Sequence, residues 1–132
     1  MKADTASPRI GQRGAILIAT ALAASAPATG LACGACVEDK VAATYDHAVV
    51  ERAAASGDVM VFCEVTGPLD AQHLKQAMRR VHGVRPQSVR VSTQPPAMSF
   101  AVDRKALSPQ DAVGAAQRSL VPGTRLVIVR LQ

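Results

Sequence analysis

The chain has 132 residues, of which 48% are hydrophobic, 19% charged and only 2% aromatic, and its net charge is +5. This length suits one domain, and the apolar content is enough for a packed core, which excludes a disordered chain. With one tyrosine, two phenylalanines and no tryptophan, the protein lacks the aromatic surfaces on which single-stranded nucleic acid stacks. Its basic residues are scattered, so we predict no nucleic-acid partner.

The N-terminal region has the layout of a secretory signal peptide. Residues 1–14 are polar and basic, residues 15–24 form the apolar run AILIATALAA, and small residues follow as far as Ala32. A bilayer span needs about 20 apolar residues, so this run predicts export rather than a membrane span. We therefore expect a periplasmic or secreted protein, with residues 1–32 removed.

The cleavage site leaves alternatives open. The small residues Gly30 and Ala32 favour a cut that makes Cys33 the first mature residue, whereas Pro27 disfavours a cut after Ala26. A lipid anchor on Cys33 is a second alternative, although Leu31 stands one place too close to the cysteine for a good lipoprotein signal. An uncleaved tail is the third.

The first element of the mature chain is predicted to be a helix over residues 37–55. Apolar residues recur there at steps of three and four, and Gly57 follows as a stop signal. A strand follows over residues 59–65, and it is apolar on both faces until Glu64, which is typical of a central strand.

Five further elements follow this strand. Ser108 and Pro109 form a strong helix start, because serine caps the helix and proline fits its first position. In chain order we predict a helix over 69–81, strands over 88–93 and 97–102, a helix over 109–120 and a strand over 124–131.

The order from residue 58 onward is therefore β-α-β-β-α-β. This order predicts an α+β, ferredoxin-like sandwich, with a four-stranded antiparallel sheet and both helices on one face. The helix over 37–55 is an addition, and we expect it to cover the other face of the sheet. The predicted organisation is a signal peptide (1–32), a Cys-x-x-Cys segment with an N-terminal helix (33–57) and the βαββαβ domain (58–132).

Residues 58–131 resemble a heavy-metal-associated domain, the module of copper chaperones and metal-pumping ATPases. The resemblance rests on five segments of this sequence: 59–65, Val81-His82-Gly83-Val84, 88–91, 100–103 and 107–111. It implies the ferredoxin-like fold and a partner protein in metal transfer.

The metal loop of this family does not appear at its usual position. That loop reads Met-x-Cys-x-x-Cys and lies between the first strand and the first helix, whereas residues 66–71 here read TGPLDA and contain no thiol. The string Cys33-Gly34-Ala35-Cys36 does look like the family's loop, but it comes one helix and one strand too early. Its metal role is therefore an analogy of local chemistry.

Cys33 and Cys36 are the candidate metal ligands. Thiolates are soft ligands that suit Cu(I) and, with further ligands, Zn(II). A helix beginning at Val37 would place its positive end near Cys36 and favour the thiolate. The sequence thus predicts a small non-enzymatic protein that binds a soft metal ion. A thiol–disulfide redox pair remains open, as does a protein-interaction module in which the spacing is accidental.

The remaining candidate ligands have simpler interpretations. Cys63 lies in the central strand and is expected to be a buried hydrophobe, and it could be a third ligand only if the N-terminus folded back onto that strand. The histidines are predicted to lie on the surface: His47, His73 and His82. The methionines of the mature chain are predicted to fill the core: Met60, Met78 and Met98.

The processed N-terminus can be tested directly. We expect the exported protein to have the mass of residues 33–132, because the small residues before Cys33 fit the cleavage site. Intact-mass and N-terminal peptide analysis measure this. A mass increased by acyl chains, or an N-terminus other than Cys33, would contradict the prediction.

Overall fold

The computed structural model describes residues 32–132, with side chains from Val37 onward. Residues 1–31 of the predicted signal peptide lie outside the described residues, as do the side chains of Cys33 and Cys36. The elements are α1 (Ala32–Thr44), α2 (His47–Ser56), β1 (Val59–Thr66), α3 (Ala71–Arg79), β2 (Arg90–Thr93), β3 (Pro96–Val102), α4 (Pro109–Gln117) and β4 (Arg125–Leu131), with one 3-10 turn at Pro86–Ser88.

The four strands form one antiparallel sheet in the order β2-β3-β1-β4. β1 lies between β3 and β4, and its register with β3 pairs Val61 with Phe100. From β1 onward the element order is β-α-β-β-α-β, which confirms the predicted ferredoxin-like α+β fold.

The sheet has a hydrophobic core on each face. On one face Val61 and Cys63 of β1 pack with Leu74 of α3 and Ala112 of α4. On the other face Met60 and its alternating neighbours pack with residues of α1 and α2; this second cluster is Val41, Val49, Ala53, Met60, Phe62 and Ala101. The prediction that an N-terminal helical region covers the second face is confirmed. The two cores explain why β1 is apolar on both sides.

The predicted single helix over 37–55 is wrong, because two helices are present and the first begins earlier, at Ala32. The chain breaks at Asp46, whose backbone is extended (φ −132°, ψ 108°) and whose side chain accepts a hydrogen bond from the N–H of Val49. An N-cap of this kind starts a new helix. The break follows Tyr45, whose ring stacks on Phe62 with a centroid separation of 6.5 Å.

Two contacts hold the break against the sheet. The hydroxyl of Ser99 on β3 donates to the carbonyl oxygen of Thr44 at 2.8 Å, and both residues are buried. The guanidinium of Arg90 on β2 donates to the carboxylate of Asp46 at 2.9 Å. These partners are distant in sequence, so helical periodicity alone does not reveal the break.

Other helix and strand boundaries are set by helix caps and by a 3-10 turn. Ser108 caps α4 by accepting from the N–H of Asp111, and Pro109 opens that helix, as predicted. Asp70 caps α3 in the same way, which makes that helix shorter than the predicted 69–81. The 3-10 turn at Pro86–Ser88 likewise delays β2 to Arg90.

The ion pair at the helix break predicts a pH-dependent contribution to stability. Arg90 and the N–H of Val49 hold the pKa of Asp46 below its ordinary value. A carboxylate with a depressed folded-state pKa stabilises the fold above its unfolded pKa, and that stability is lost as the pH falls through the folded value. We expect Asp46→Asn to be less stable than wild type at neutral pH, and the difference to shrink at an acidic pH below the ordinary pKa of aspartate. Urea unfolding measures both values.

Asp39→Asn is the matched control, because the carboxylate of Asp39 is exposed and forms no ion pair within residues 37–132. Its stability should follow wild type at both pH values. A constant difference between wild type and Asp46→Asn at all pH values would contradict the prediction.

Candidate functional site

α1 contains both cysteines of the Cys-x-x-Cys motif. The helix begins at Ala32, five residues before the predicted start at Val37. Cys33 therefore lies in the first turn and Cys36 opens the second. Residues three apart lie on the same side of a helix, so the backbone brings these two positions to one face of α1.

The start of a helix is a favourable place for a thiolate. The first four N–H groups have no partner within the helix, and the aligned peptide dipoles place partial positive charge there. This effect fades within the first turn, so it acts more strongly at Cys33 than at Cys36. From the sequence we predicted that the helix would favour the thiolate of Cys36. Because the helix begins earlier, at Ala32, the effect is expected mainly at Cys33.

Four contacts position α1 across the sheet. Glu38 pairs with Arg130 of β4, and Lys40 pairs with Glu64 of β1 at 2.6 Å. Further along, the Thr44–Ser99 and Asp46–Arg90 contacts reach β3 and β2 in turn. α1 therefore crosses the strands from the β4 edge to the β2 edge. Its N-terminal turns, with the two cysteine positions, lie at the β4 edge.

The Glu38–Arg130 pair is the described contact next to the cysteines. Hydrogen bonding to Arg130 lowers the pKa of Glu38, and the same contact raises the pKa of Arg130. Exposed pairs of this kind contribute little to stability, so its main consequence is positional. It places the second turn of α1 next to the last strand of the sheet.

Cys63 lies on the opposite side of the sheet from α1. Its side chain is 1% exposed within the core beneath α3 and α4, and burial raises its pKa to about 12. A thiol with so high a pKa is a poor ligand and a poor nucleophile. The expectation of a buried hydrophobe is confirmed. Folding the N-terminus onto β1 could not make Cys63 a third ligand, because the sheet itself would separate them.

The histidines lie on the surface, as predicted. His47 belongs to α2 rather than to the helix that contains the cysteines, and its exposed ring pairs with Glu51 at 3.1 Å. The ring of His73 contacts the carbonyl oxygen of Ser119 at 2.8 Å, which links α3 to the turn after α4, and His82 is exposed.

The three methionines fill the core, as predicted. Met60, Met78 and Met98 are each at most 1% exposed. Across the part of the chain that the structure describes, no group of three or more His, Cys, Asp or Glu residues is placed to hold a metal ion.

The loop between β1 and α3, where the family places its metal site, is closed by backbone packing. Gly67 adopts φ +85°, and a Cβ atom there would lie 2.1 Å from the carbonyl oxygen of Gly123. The hydroxyl of Thr124 donates to the carbonyl oxygen of Pro68, which joins this loop to the turn before β4. The missing thiol was predictable from sequence, whereas the closure depends on the tertiary structure. Neither the residues nor the space fit a metal ion.

Comparisons with known proteins add little to this description. No protein-family model matches the chain, and no curated protein matches it. Among solved structures, the chain is similar to a copper binding domain from HMA7, a P-type ATPase, at 17% identity and a TM-score of 0.48. The match covers 56% of this chain and 97% of that one. The fold assignment rests on the strand order and element order of the protein itself.

None of the helices within residues 32–132 is long and apolar enough to cross a bilayer.

The closed loop gives a stability prediction. We expect Gly67→Ala to lower the free energy of unfolding by roughly 2–4 kcal/mol, because the added methyl group meets a backbone oxygen in a left-handed conformation. Gly57→Ala is the matched control, since Gly57 is also left-handed but a Cβ atom there meets nothing within 4 Å. It should cost only about 1–2 kcal/mol. Equal losses in urea unfolding would show that the loops are not closely packed.

Proposed function

We propose that this protein is a small exported, non-enzymatic protein that binds a soft metal ion, Cu(I) or Zn(II), through Cys33 and Cys36. The observation that supports this proposal is the position of both cysteines in the first two turns of α1, three residues apart. Two thiolates at this spacing form a soft donor pair, and the start of a helix favours the thiolate form that binds metal.

The surroundings of α1 agree with this role. The third cysteine is buried with a raised pKa on the other side of the sheet, so it does not compete for metal. α1 is fixed to the sheet by ion pairs and by a buried hydrogen bond at Thr44. A rigid helix presents its ligands with less entropy loss on binding than a mobile segment would.

Export and transfer to a partner protein are parts of the same proposal. The segment 1–32 has the charged, apolar and small-residue regions of a signal peptide, which supports a periplasmic or secreted location. A pair of thiolates leaves coordination positions open for ligands from another protein, and such open positions suit metal transfer. A lipid anchor on Cys33 would remove its thiol from this role.

A thiol–disulfide function is the second candidate, and the same observation favours it. A cysteine in the first turn of a helix has a lowered pKa, and a Cys-x-x-Cys pair can close into a disulfide in an oxidising compartment. The two functions require different redox states of the cysteine pair. Metal binding requires the reduced dithiol, whereas thiol–disulfide exchange requires that the pair can convert between dithiol and disulfide.

A metal titration tests the proposal. We expect the reduced protein to bind Cu(I) or Zn(II) saturably in competition with a colorimetric chelator, and Cys33→Ala and Cys36→Ala each to abolish that binding, because one thiolate is a weak site. Cys63→Ala is the matched control, since it removes a thiol buried in the core on the far face of the sheet. It should bind as wild type does.

Two outcomes would contradict the proposal. Binding that survives loss of either N-terminal cysteine would move the site elsewhere. Absence of binding, together with catalysed reduction of a disulfide substrate that needs both cysteines, would establish the redox function instead.

A further inference from the structure

Two pairs of neighbouring basic residues meet at one end of the α3/α4 layer. Arg79–Arg80 stand at the end of α3, and Arg104–Lys105 lie in the turn before α4. The two turns are packed together, because a Cβ atom on Gly83 would lie 3.1 Å from the Cβ of Leu107. The N–H of Asp103 also donates to the carbonyl oxygen of Gly83 at 2.9 Å. The fold therefore brings both pairs, which are far apart in sequence, to one place, the basic end.

The basic end carries positive charge that nearby carboxylates do not balance. All four of its residues are exposed, and none forms an ion pair in the part of the chain whose side chains the structure describes. The segments 79–85 and 103–111 contain five Lys or Arg and two Asp, which leaves a net charge of +3. Both carboxylates are already engaged, because Asp103 pairs with Arg85 at 3.5 Å and Asp111 belongs to the cap of α4.

The helical layer on the other face of the sheet has the opposite charge. Residues 38–56, which form most of α1 and all of α2, contain four Asp or Glu and two Lys or Arg, a net charge of −2. The domain therefore has a positive side and a negative side. A charge distribution of this kind turns a protein in front of a charged surface before contact is made, so the basic end would meet an anionic surface first.

A partly apolar cleft lies beside the basic end. It has a volume of about 310 Å³ and lies between α3 and α4. Its apolar walls include Val81, Leu107 and Ala115, and Arg80 and His82 line the same cleft. Cationic side chains next to apolar surface are the arrangement that anionic lipids attract at a membrane interface.

We infer that the basic end docks the protein on the surface of an anionic phospholipid bilayer. A phospholipid supplies both a phosphate for the cations and an apolar part for the cleft, and a bilayer presents many such headgroups in one plane. Acidic peptide segments are recognised along sheet edges or in extended grooves, whereas the two basic pairs lie on turns at the end of a helical layer. This inference does not depend on metal binding by the cysteine pair.

Four cations are enough for reversible attachment. Each Lys or Arg close to an anionic bilayer strengthens binding about fivefold, so the four together strengthen it by roughly several hundredfold over an uncharged bilayer. The attraction falls off within a Debye length, about 8 Å at physiological ionic strength. Only cations at the contact therefore contribute, and basic residues at the other end of the domain do not.

The experiment is co-sedimentation of the exported protein with vesicles. One set contains phosphatidylcholine with about one quarter phosphatidylglycerol, and the other contains phosphatidylcholine alone. We expect saturable binding to the anionic set only. Raising the salt from about 0.1 M to about 1 M should release the protein, because the Debye length falls from about 10 Å to about 3 Å.

Two charge reversals, one in each basic pair, test the contact itself. Arg80→Glu and Lys105→Glu should each weaken binding to the anionic vesicles at least about tenfold, because each replaces a cation at the contact with an anion. Both residues are exposed, so both variants should keep the fold, which circular dichroism checks.

Arg125→Glu is the matched control, because it makes the same change in net charge at an exposed position. Arg125 pairs with Thr66 at the far end of β1, whereas Val102, next to the turn of the basic end, pairs with Val59 at the near end. The two ends of β1 are on the order of 20 Å apart, so the control should bind within about twofold of wild type.

Four outcomes would overturn the inference. The first is no binding to anionic vesicles, and the second is equal binding to both sets, as an acyl chain on Cys33 would cause. The third is an equal loss in all three variants, which would show an effect of net charge rather than of the basic end. The fourth is binding of soluble polyglutamate without binding of vesicles, which would identify an acidic protein as the partner instead.

Discussion

Burial of β1 on both faces is the constraint on which the rest of the structure depends. Met60, Val61, Phe62 and Cys63 are each at most 1% exposed, and they point alternately to the two sides of the sheet. A strand of this kind must lie inside the sheet and must be covered twice. The βαββαβ unit covers one face with α3 and α4. The other face would expose its apolar side chains to water without α1 and α2.

The addition of α1 and α2 also determines where the candidate chemistry lies. The break at Asp46 lets α1 cross the strands while α2 packs separately, and the Asp46–Arg90 pair holds the break to β2. The other end of α1 is held to β4 through Glu38. These contacts at its two ends direct the first turns of α1 to the β4 edge of the sheet.

The cysteine pair of this chain lies outside the loop that binds metal in the family that the sequence resembles. The loop after β1, where that family binds metal, has no thiol and is packed against Gly123. The thiols stand instead at the start of an added helix on the far face of the sheet. A scaffold of this type supports either arrangement, because function is carried by the site rather than by the fold.

The sequence by itself determined the fold class, the N-cap of α4 at Ser108 and the burial of Cys63, because local hydrogen bonds and alternating apolar residues encode these features. It also located the Cys33/Cys36 pair, since a spacing is a local property. Only the tertiary structure decided the break at Asp46, the closed loop at Gly67 and the direction of α1 towards β4. These features depend on Arg90, Gly123 and Arg130, which come into contact only after the sheet has formed.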